Sequence, residues 1–385
     1  MTNFLIACSP IMNVNELKTS AIAFLEGLRI SEFEFRFSKN NESSLIASSL
    51  AVMLGALTGW LDRLSDCEKR GWADYINRYQ LPSGFFSDDD IGDNNRVPGY
   101  TQERALFHRT RHALFALSTL GHRPKYEFHF LSLYRSSQAI SEWMNHLTLS
   151  DYWDASNKIM DLSLFLDFEA RICDRSEAVK AIQTLLDICD SNTNPKTGYH
   201  DRGESELRNA MAGAMHLYPI YFMWKRKPLF PERVIDTTLS LQQTDGLFGY
   251  EVGTGGEDCL DYDAVNILVN FSFVTNYNRE AIQQSLRRVI TGVLECQNED
   301  GGFACHRRQE PYRFGTFTTE VSMGGSSLWS TYSRLITLAM ASYVFEQENW
   351  KTWNLGYNLM EIWDGGTDRM KNNGYYYDKM KERAL

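Results

Sequence analysis

Helical stretches of two kinds alternate along this chain, and that alternation limits the fold more than any other feature of the sequence. The stretches 45–61, 103–120, 152–168, 204–224, 258–274 and 326–345 carry apolar or small residues nearly all round. Between them, 14–28, 67–79, 126–147, 176–189, 231–243 and 279–297 place apolar residues on one face only. A further helical stretch, 350–363, closes the series. A helix that is apolar on every side must be surrounded, whereas one with a single apolar face belongs on the outside. Alternating β-branched runs, the mark of strands, are scarce. At roughly 45–70 residues per pair, the period is that of helical-repeat architectures. Six pairs fit either an open solenoid or a closed ring, and the all-round apolarity of the inner set favours the ring. The expected fold is therefore all-α, an (α/α)6 toroid with apolar helices inside and amphipathic helices outside. Residues 1–385 form one domain in this reading, with 365–385 as a peripheral C-terminal tail.

The net charge is −10, which disfavours broad attraction to nucleic acid. No window is apolar for long enough to suggest a membrane span. The N-terminus has no basic stretch ahead of its short apolar run, so it does not look like a signal peptide. The 7 cysteines are scattered and odd in number, which suits reduced thiols. Together these point to a cytoplasmic protein with a small-molecule substrate. Aromatic residues make up 13% of the chain, enough both for helix packing and for a cavity walled by rings.

Two inter-helix turns share one pattern, Gln242-Gln243-Thr244-Asp245-Gly246-Leu247-Phe248 and Gln297-Asn298-Glu299-Asp300-Gly301-Gly302-Phe303. This Gln, two residues, then Asp-Gly-x-Phe resembles the repeat of the terpenoid cyclase and protein prenyltransferase toroid superfamily. The resemblance covers most of the chain as architecture, and these two repeats as motif. It implies an active site at the N-terminal ends of the inner helices. Other toroids of this architecture include glycan lyases, unsaturated glucuronyl hydrolases, sugar epimerases and lanthionine cyclases, so the fold leaves the chemistry open.

Four acids, Glu257, Asp258, Asp261 and Asp263, open the helix after the first turn. Asp261-Tyr262-Asp263-Ala264 resembles the Asp-x-Asp-Asp motif of class II terpene cyclases, whose middle Asp protonates an alkene or epoxide. Asp263 takes that place, and Ala264 replaces the third Asp. The leading expectation is acid-initiated cyclisation or isomerisation of an isoprenoid-like or other small substrate, with Asp263 as general acid. Asp261 and Glu257 would tune it, since neighbouring carboxylates raise one another's proton affinity. Tyr262, Trp329 and Tyr332 would face a growing cation. Overlaying the starts of the inner helices puts His112, Asn209, Asp263 and Arg334 at one level around a central cavity. Tyr250 and Phe303, from the two repeat turns, complete the substrate-binding set. Because i and i+2 point apart on a helix, Asp261 shares that cavity only if it belongs to the cap.

A glycan lyase, hydrolase or epimerase is the rival expectation. It draws on His200 and Arg202 with His108, Arg111, His112 and Arg334 beside Asp88, Asp89, Asp90 and Asp263. Zinc is a third reading: Cys259 and the Cys305-His306 pair resemble the ligands of lanthionine cyclases, although the flanking residues differ. No cofactor is favoured. A toroid that only binds a peptide in its hollow is the remaining class. The insert 306–325, with Arg307, Arg308, Tyr312, Arg313 and Phe314, is expected as a lid over the cavity mouth or as a solvated loop.

Overall fold

The computed structural model describes residues 13–88, 101–250, 257–307, 311–313, 320–322, 324–345 and 353. Twelve α-helices dominate the described residues: α1 (Val14–Gly27), α2 (Leu45–Thr58), α3 (Asp66–Asn77), α4 (Gln102–Thr119), α5 (Ser137–Asn145), α6 (Tyr152–Ile172), α7 (Ser176–Ser191), α8 (Leu207–Met223), α9 (Pro231–Ser240), α10 (Asp258–Val274), α11 (Arg279–Leu294) and α12 (Leu328–Tyr343). The even-numbered helices form a closed ring in which α2, α4, α6, α8, α10 and α12 pack in order and α12 returns to α2. The odd-numbered helices lie outside, with α7 on α6, α9 and α11 on α10, and α1 and α3 on α2. This is the expected (α/α)6 toroid.

The burial pattern shows why each helix takes its place. Every residue of α2 is buried. Outer α7 buries only Ala178, Ala181, Ile182, Leu185, Leu186 and Cys189, a stripe at helical spacing. Each fully buried Leu or Ile in such a stripe contributes about 2 kcal/mol of apolar transfer. Side-chain caps set several helix starts. Ser44 Oγ accepts from Ala47 N at 3.2 Å, and Ser65 and Glu68 form a reciprocal capping box at the start of α3.

The repeat turns join each outer helix to the next inner one, and their motif is structural. Gln242 donates its amide to Gly246 O at 2.7 Å and to Ser285 O at 3.0 Å. Gln80 binds Gly84 O at 3.1 Å and Tyr126 O at 2.9 Å. The glycine is obligatory: Gly246 has φ +88°, and a Cβ there would sit 2.7 Å from Arg288 O. Asp245 Oδ1 accepts from Leu247 N at 3.1 Å, closing the turn. The motif Phe then donates its backbone N–H to the first turns of the inner helix. Phe35 reaches Ser48 Oγ (3.2 Å), Phe86 reaches Thr110 Oγ1 (3.0 Å), Phe248 reaches Asp261 Oδ1 (2.6 Å) and Phe303 reaches Thr331 Oγ1 (2.9 Å). These four acceptors occupy one repeated register position.

Two expectations change. The stretch 126–147 is not one helix, because Phe128 and Phe130 turn into an aromatic cluster with Phe165, and Phe130 stacks on Phe85 at 3.7 Å. A 3-10 turn at His129–Leu133 follows, and α5 begins only where Ser136 Oγ caps Ala139 N at 3.0 Å. Short strands β1 (Phe303–Ala304), β2 (Pro311–Arg313), β3 (Glu320–Ser322) and β4 (Ser326–Ser327) pair antiparallel as β1–β4 and β2–β3. Of the expected last helix, 350–363, only the buried Trp353 is described, and 365–385 lies outside the described residues. No helix of the described residues is long and apolar enough to cross a membrane.

Candidate active site

The N-terminal half of α10 separates its acids onto different faces. Asp261 points away from the lumen, accepts the Phe248 N–H, and forms a fully buried ion pair with Arg334 of α12. Arg334 in turn donates to Cys305 O at 2.7 Å, so both groups are locked into the wall between repeats. Burial pushes the Asp261 carboxyl up to about 6, against the pull of Arg334 and the Phe248 N–H. Asp263 lies two residues on, and its Oδ2 has no hydrogen-bond partner among the described residues. Its Oδ2 is sealed from solvent, and the residue is only 2% exposed. Burial, reinforced by the charges of Asp258 and Asp261, holds this carboxyl well above the usual carboxylate range. Glu257, partly exposed at the helix start, is pushed up to about 7 by burial, Asp258 and Asp261.

The lumen face of α10 is Cys259, Tyr262 and Asn266, and Asn266 Nδ2 donates to Tyr262 OH at 3.3 Å. Trp329 of α12 donates its indole N–H to Cys259 Sγ at 3.3 Å. Its ring lies 5.8 Å from that of His112 on α4. Tyr332 is buried, and its hydroxyl has no partner among the described residues. An aromatic surface therefore runs from α10 across α12 to α4.

The facing side is polar and basic. Arg104 and Arg111 of α4 share Asp161 of α6, at 3.2 Å and 3.1 Å, while Arg111 Nε has no partner among the described residues. Burial lowers the Arg111 guanidinium, countered by Asp161; Tyr262 and Cys259 across the lumen also act on it. His112 Nδ1 meets His108 O at 2.9 Å, and burial with Arg111 drives this imidazole down to about 3, so it is neutral. Further in, His216 of α8 contacts Ser156 Oγ of α6 at 2.9 Å through Nδ1.

The family's sequence pattern decides the kinship. The prenyltransferase alpha-alpha toroid domain matches residues 2–97, 125–323 and 289–370. The chain belongs to that family. Among solved structures, this prenyltransferase-type toroid is similar to a possible member of GH105 family from Salmonella enterica serovar Paratyphi A, at 13% identity and TM-score 0.46, over 89% of this chain and 97% of that one. It is also similar to the GH76A alpha-1,6-mannanase of a Salegentibacter species, at 11% identity and TM-score 0.47, over 85% and 99% of the two chains. A possible GH105 member from Klebsiella pneumoniae gives 10% identity and TM-score 0.42, over 89% and 98%. Likeness at this level says nothing of what the present toroid acts on. No curated protein matches the sequence.

Several residues expected in the toroid's cavity lie elsewhere. The register set by Thr110, Asp261 and Thr331 aligns His112 with Asp263 and Ser333, so Arg334 is one residue past the lumen and turns into the wall. Phe303 is fully buried in its repeat turn. His200 takes the Phe position of its turn, buried against Tyr218 and Tyr221 at ring distances of 5.3 Å, outside the ring of inner helices. Arg202, exposed and left-handed at φ 56°, binds Asn192 Oδ1 at 2.7 Å on the surface. Asn209 sits at the rim, where its Oδ1 accepts from Tyr250 OH, and Arg208 lies 5.8 Å over the Tyr250 ring.

The zinc set does not assemble. Among the described residues no three His, Cys, Asp or Glu side chains are placed to hold one metal ion. Burial and the nearby acids push the Cys259 and Cys305 thiols up. In the expected lid, Arg307 pairs with Glu295 and donates to Gly292 O at 3.4 Å, which ties it to outer helix α11. Arg308 and Phe314 lie outside the described residues. Reasoning from sequence missed Asp161, Ser156 and His216. The available signal was polar residues inside runs that otherwise read as apolar.

Proposed function

We propose that this toroid is a proton-transfer catalyst that cyclises or isomerises an isoprenoid-like or other small unsaturated substrate, with Asp263 as its general acid. The observation that supports the reading is the buried Asp263 carboxyl, whose Oδ2 has no hydrogen-bond partner among the described residues and which burial, with Asp258 and Asp261, holds well above the usual carboxylate range. Protonating carbon requires an acid that is neutral in the resting enzyme and whose conjugate base appears only as charge moves onto the substrate. Asp263 donates to an alkene carbon, and the cation that forms faces the rings of Tyr262, Trp329 and Tyr332. Glu257 at the mouth, half-ionised near neutrality, exchanges protons with solvent and resets the acid.

The test is turnover of a panel of polyprenyl diphosphates, squalene-type polyenes and unsaturated uronides in D2O, comparing wild type with Asp263→Asn. The expected result is product carrying one deuterium at a former alkene carbon, lost in Asp263→Asn. Turnover that survives this substitution would sink the reading. A glycan-active enzyme is the second reading. It is favoured by the Arg104–Asp161–Arg111 cluster and neutral His112, groups suited to a sugar carboxylate and hydroxyls. Selective conversion of the uronides would establish it.

A further inference from the structure

Arg111 is a buried cation whose best hydrogen-bonding edge is unused. The residue is only 5% exposed. Its Nη1 donates to Met160 Sδ at 3.4 Å, a weak acceptor. Nη1 also passes Asp161 Oδ1 at 3.1 Å, yet that oxygen has no hydrogen bond among the described residues, so charge holds the pair without a fork. Nε and Nη2, on the other edge of the guanidinium, have no partner among the described residues. That edge is the one that grips a carboxylate with two parallel N–H donors. Leaving it empty in a buried site is costly.

Two hydroxyls stand at the same level. Thr110, Asp261 and Thr331 each accept the backbone N–H of their turn's Phe, and the residues that follow them are Arg111, Tyr262 and Tyr332. The repeated register therefore puts these three at one height on α4, α10 and α12. In the ring order α4 stands opposite α10, and the charge of Arg111 reaches Tyr262 across the lumen. Other side chains bridge the same level, from His112 to Trp329 at 5.8 Å and from Trp329 to Cys259 Sγ at 3.3 Å. Burial pushes both phenols up, so both keep their protons. Tyr262 OH accepts from Asn266 Nδ2 at 3.3 Å, which leaves its own proton without an acceptor among the described residues. Tyr332 OH has no partner among them at all.

We propose that the lumen binds a carboxylate between Arg111, Tyr262 and Tyr332, and that the substrate is an unsaturated monocarboxylic acid. The anion site stands on the contacts above; that its anion belongs to the substrate rests on the acid-catalysis reading. Donor number selects a carboxylate. The Nε–Nη2 edge offers an N–H to each oxygen and the phenols add two O–H groups, four donors for the roughly four lone-pair sites of one carboxylate. Charge gives the same answer. Arg104 and Arg111 face Asp161, and beside them Asp154 pairs with Lys158 at 2.6 Å and lies 3.5 Å from Arg104. Three cations against two anions leave one positive charge, which one carboxylate cancels. His108, His112 and His216 add none, since burial and these guanidiniums hold all three imidazoles down. A diphosphate would bring more charge than the site can balance and more oxygens than it has donors. The bound carboxylate also neutralises Arg111, which would otherwise repel the cation that Asp263 generates.

Ligand-observed NMR titrations of the full chain at neutral pH, with hexanoate, hexanamide and inorganic diphosphate, test the anion site without turnover. Hexanoate should bind at least about tenfold tighter than hexanamide, the weight of one charge-assisted fork. Arg111→Met should abolish that preference, and Tyr332→Phe, which keeps the ring, should weaken hexanoate about fivefold. Equal affinity for hexanoate and hexanamide, hexanoate binding unchanged in both variants, or diphosphate bound more tightly than hexanoate each overturns the proposal and leaves Asp263 untouched as the acid. Farnesoate, a polyprenyl carboxylate, then tests the link to the reaction. In D2O the wild type should place deuterium at a former alkene carbon, and Arg111→Met should raise KM at least about tenfold. Deuterium uptake with KM unchanged in Arg111→Met overturns the carboxylate's role in the substrate. Arg111-dependent binding of farnesoate without deuterium uptake keeps the anion site and overturns its link to the acid.

Discussion

The protonation of Asp263 can be tested through stability alone, with no substrate. In the unfolded chain this carboxyl ionises at its usual value near 4. In the fold, burial with Asp258 and Asp261 nearby raises it well above that range. Between the two values the native state binds one proton more than the unfolded state, so stability falls as pH rises. The slope is about 1.4 kcal/mol per pH unit for one proton. Asp263 therefore costs the fold nothing near pH 4 and progressively more above it. Asn has the same shape and carries no charge. Asp263→Asn should therefore be close to neutral at pH 4 and increasingly stabilising as pH rises, by at most about 1.4 kcal/mol per pH unit. Urea denaturation of both proteins at half-unit pH steps measures this directly. A difference that does not change with pH, or Asp263→Asn destabilised most at neutral pH, would mean the carboxylate is ionised in the fold. Asp263 could then not be the general acid.

Other perturbations have equally definite outcomes. Arg334→Met strands Asp261 in the wall and should cost about 3–5 kcal/mol in chemical denaturation, with Arg334→Met/Asp261→Asn recovering most of the loss. Thr331→Val removes the acceptor of the buried Phe303 N–H and should cost about 1–3 kcal/mol, whereas Thr331→Ser should stay within about 1 kcal/mol of wild type. Gly246→Ala, at φ +88° with its Cβ 2.7 Å from Arg288 O, should lower Tm by several degrees, since both the backbone and the facing strand of chain must shift. Glu257→Gln should flatten the fall of stability between about pH 5 and 7, because the folded Glu257 binds its proton more tightly than the unfolded one.

The ring was legible because its signal is distributed. Inner helices such as Leu45–Thr58 and outer ones such as Ser176–Ser191 differ in how much of their circumference is apolar, and no single residue decides the matter. The repeat turns were legible for the same reason, since Gly246 and Gly301 need a left-handed backbone that other residues resist. The site was harder to read. Asp261 and Asp263 look alike in sequence, and only the Phe248 N–H and Arg334 distinguish a wall residue from a lumen residue. Arg334 misled by a single position, a shift of about 100° around a helix. His216 and Ser156 were invisible because they lie deep in apolar runs and are paired across two helices. The segment 126–147 failed because its helical period competes with the clustering of Phe128 and Phe130 against Phe85 and Phe165.

Closure of α12 onto α2 also bears on how such a chain can change over time. An open stack of helical hairpins grows or shrinks by whole repeats, because each contacts only its neighbours. Here every inner helix has two flanking partners, and a seventh hairpin would have no gap to enter. Adding or losing a repeat therefore requires the whole ring to reopen and close again, whereas new length in the segments that join one helix to the next leaves it intact. Diversity in what the hollow holds must come from point changes on six fixed staves and from the turns above them.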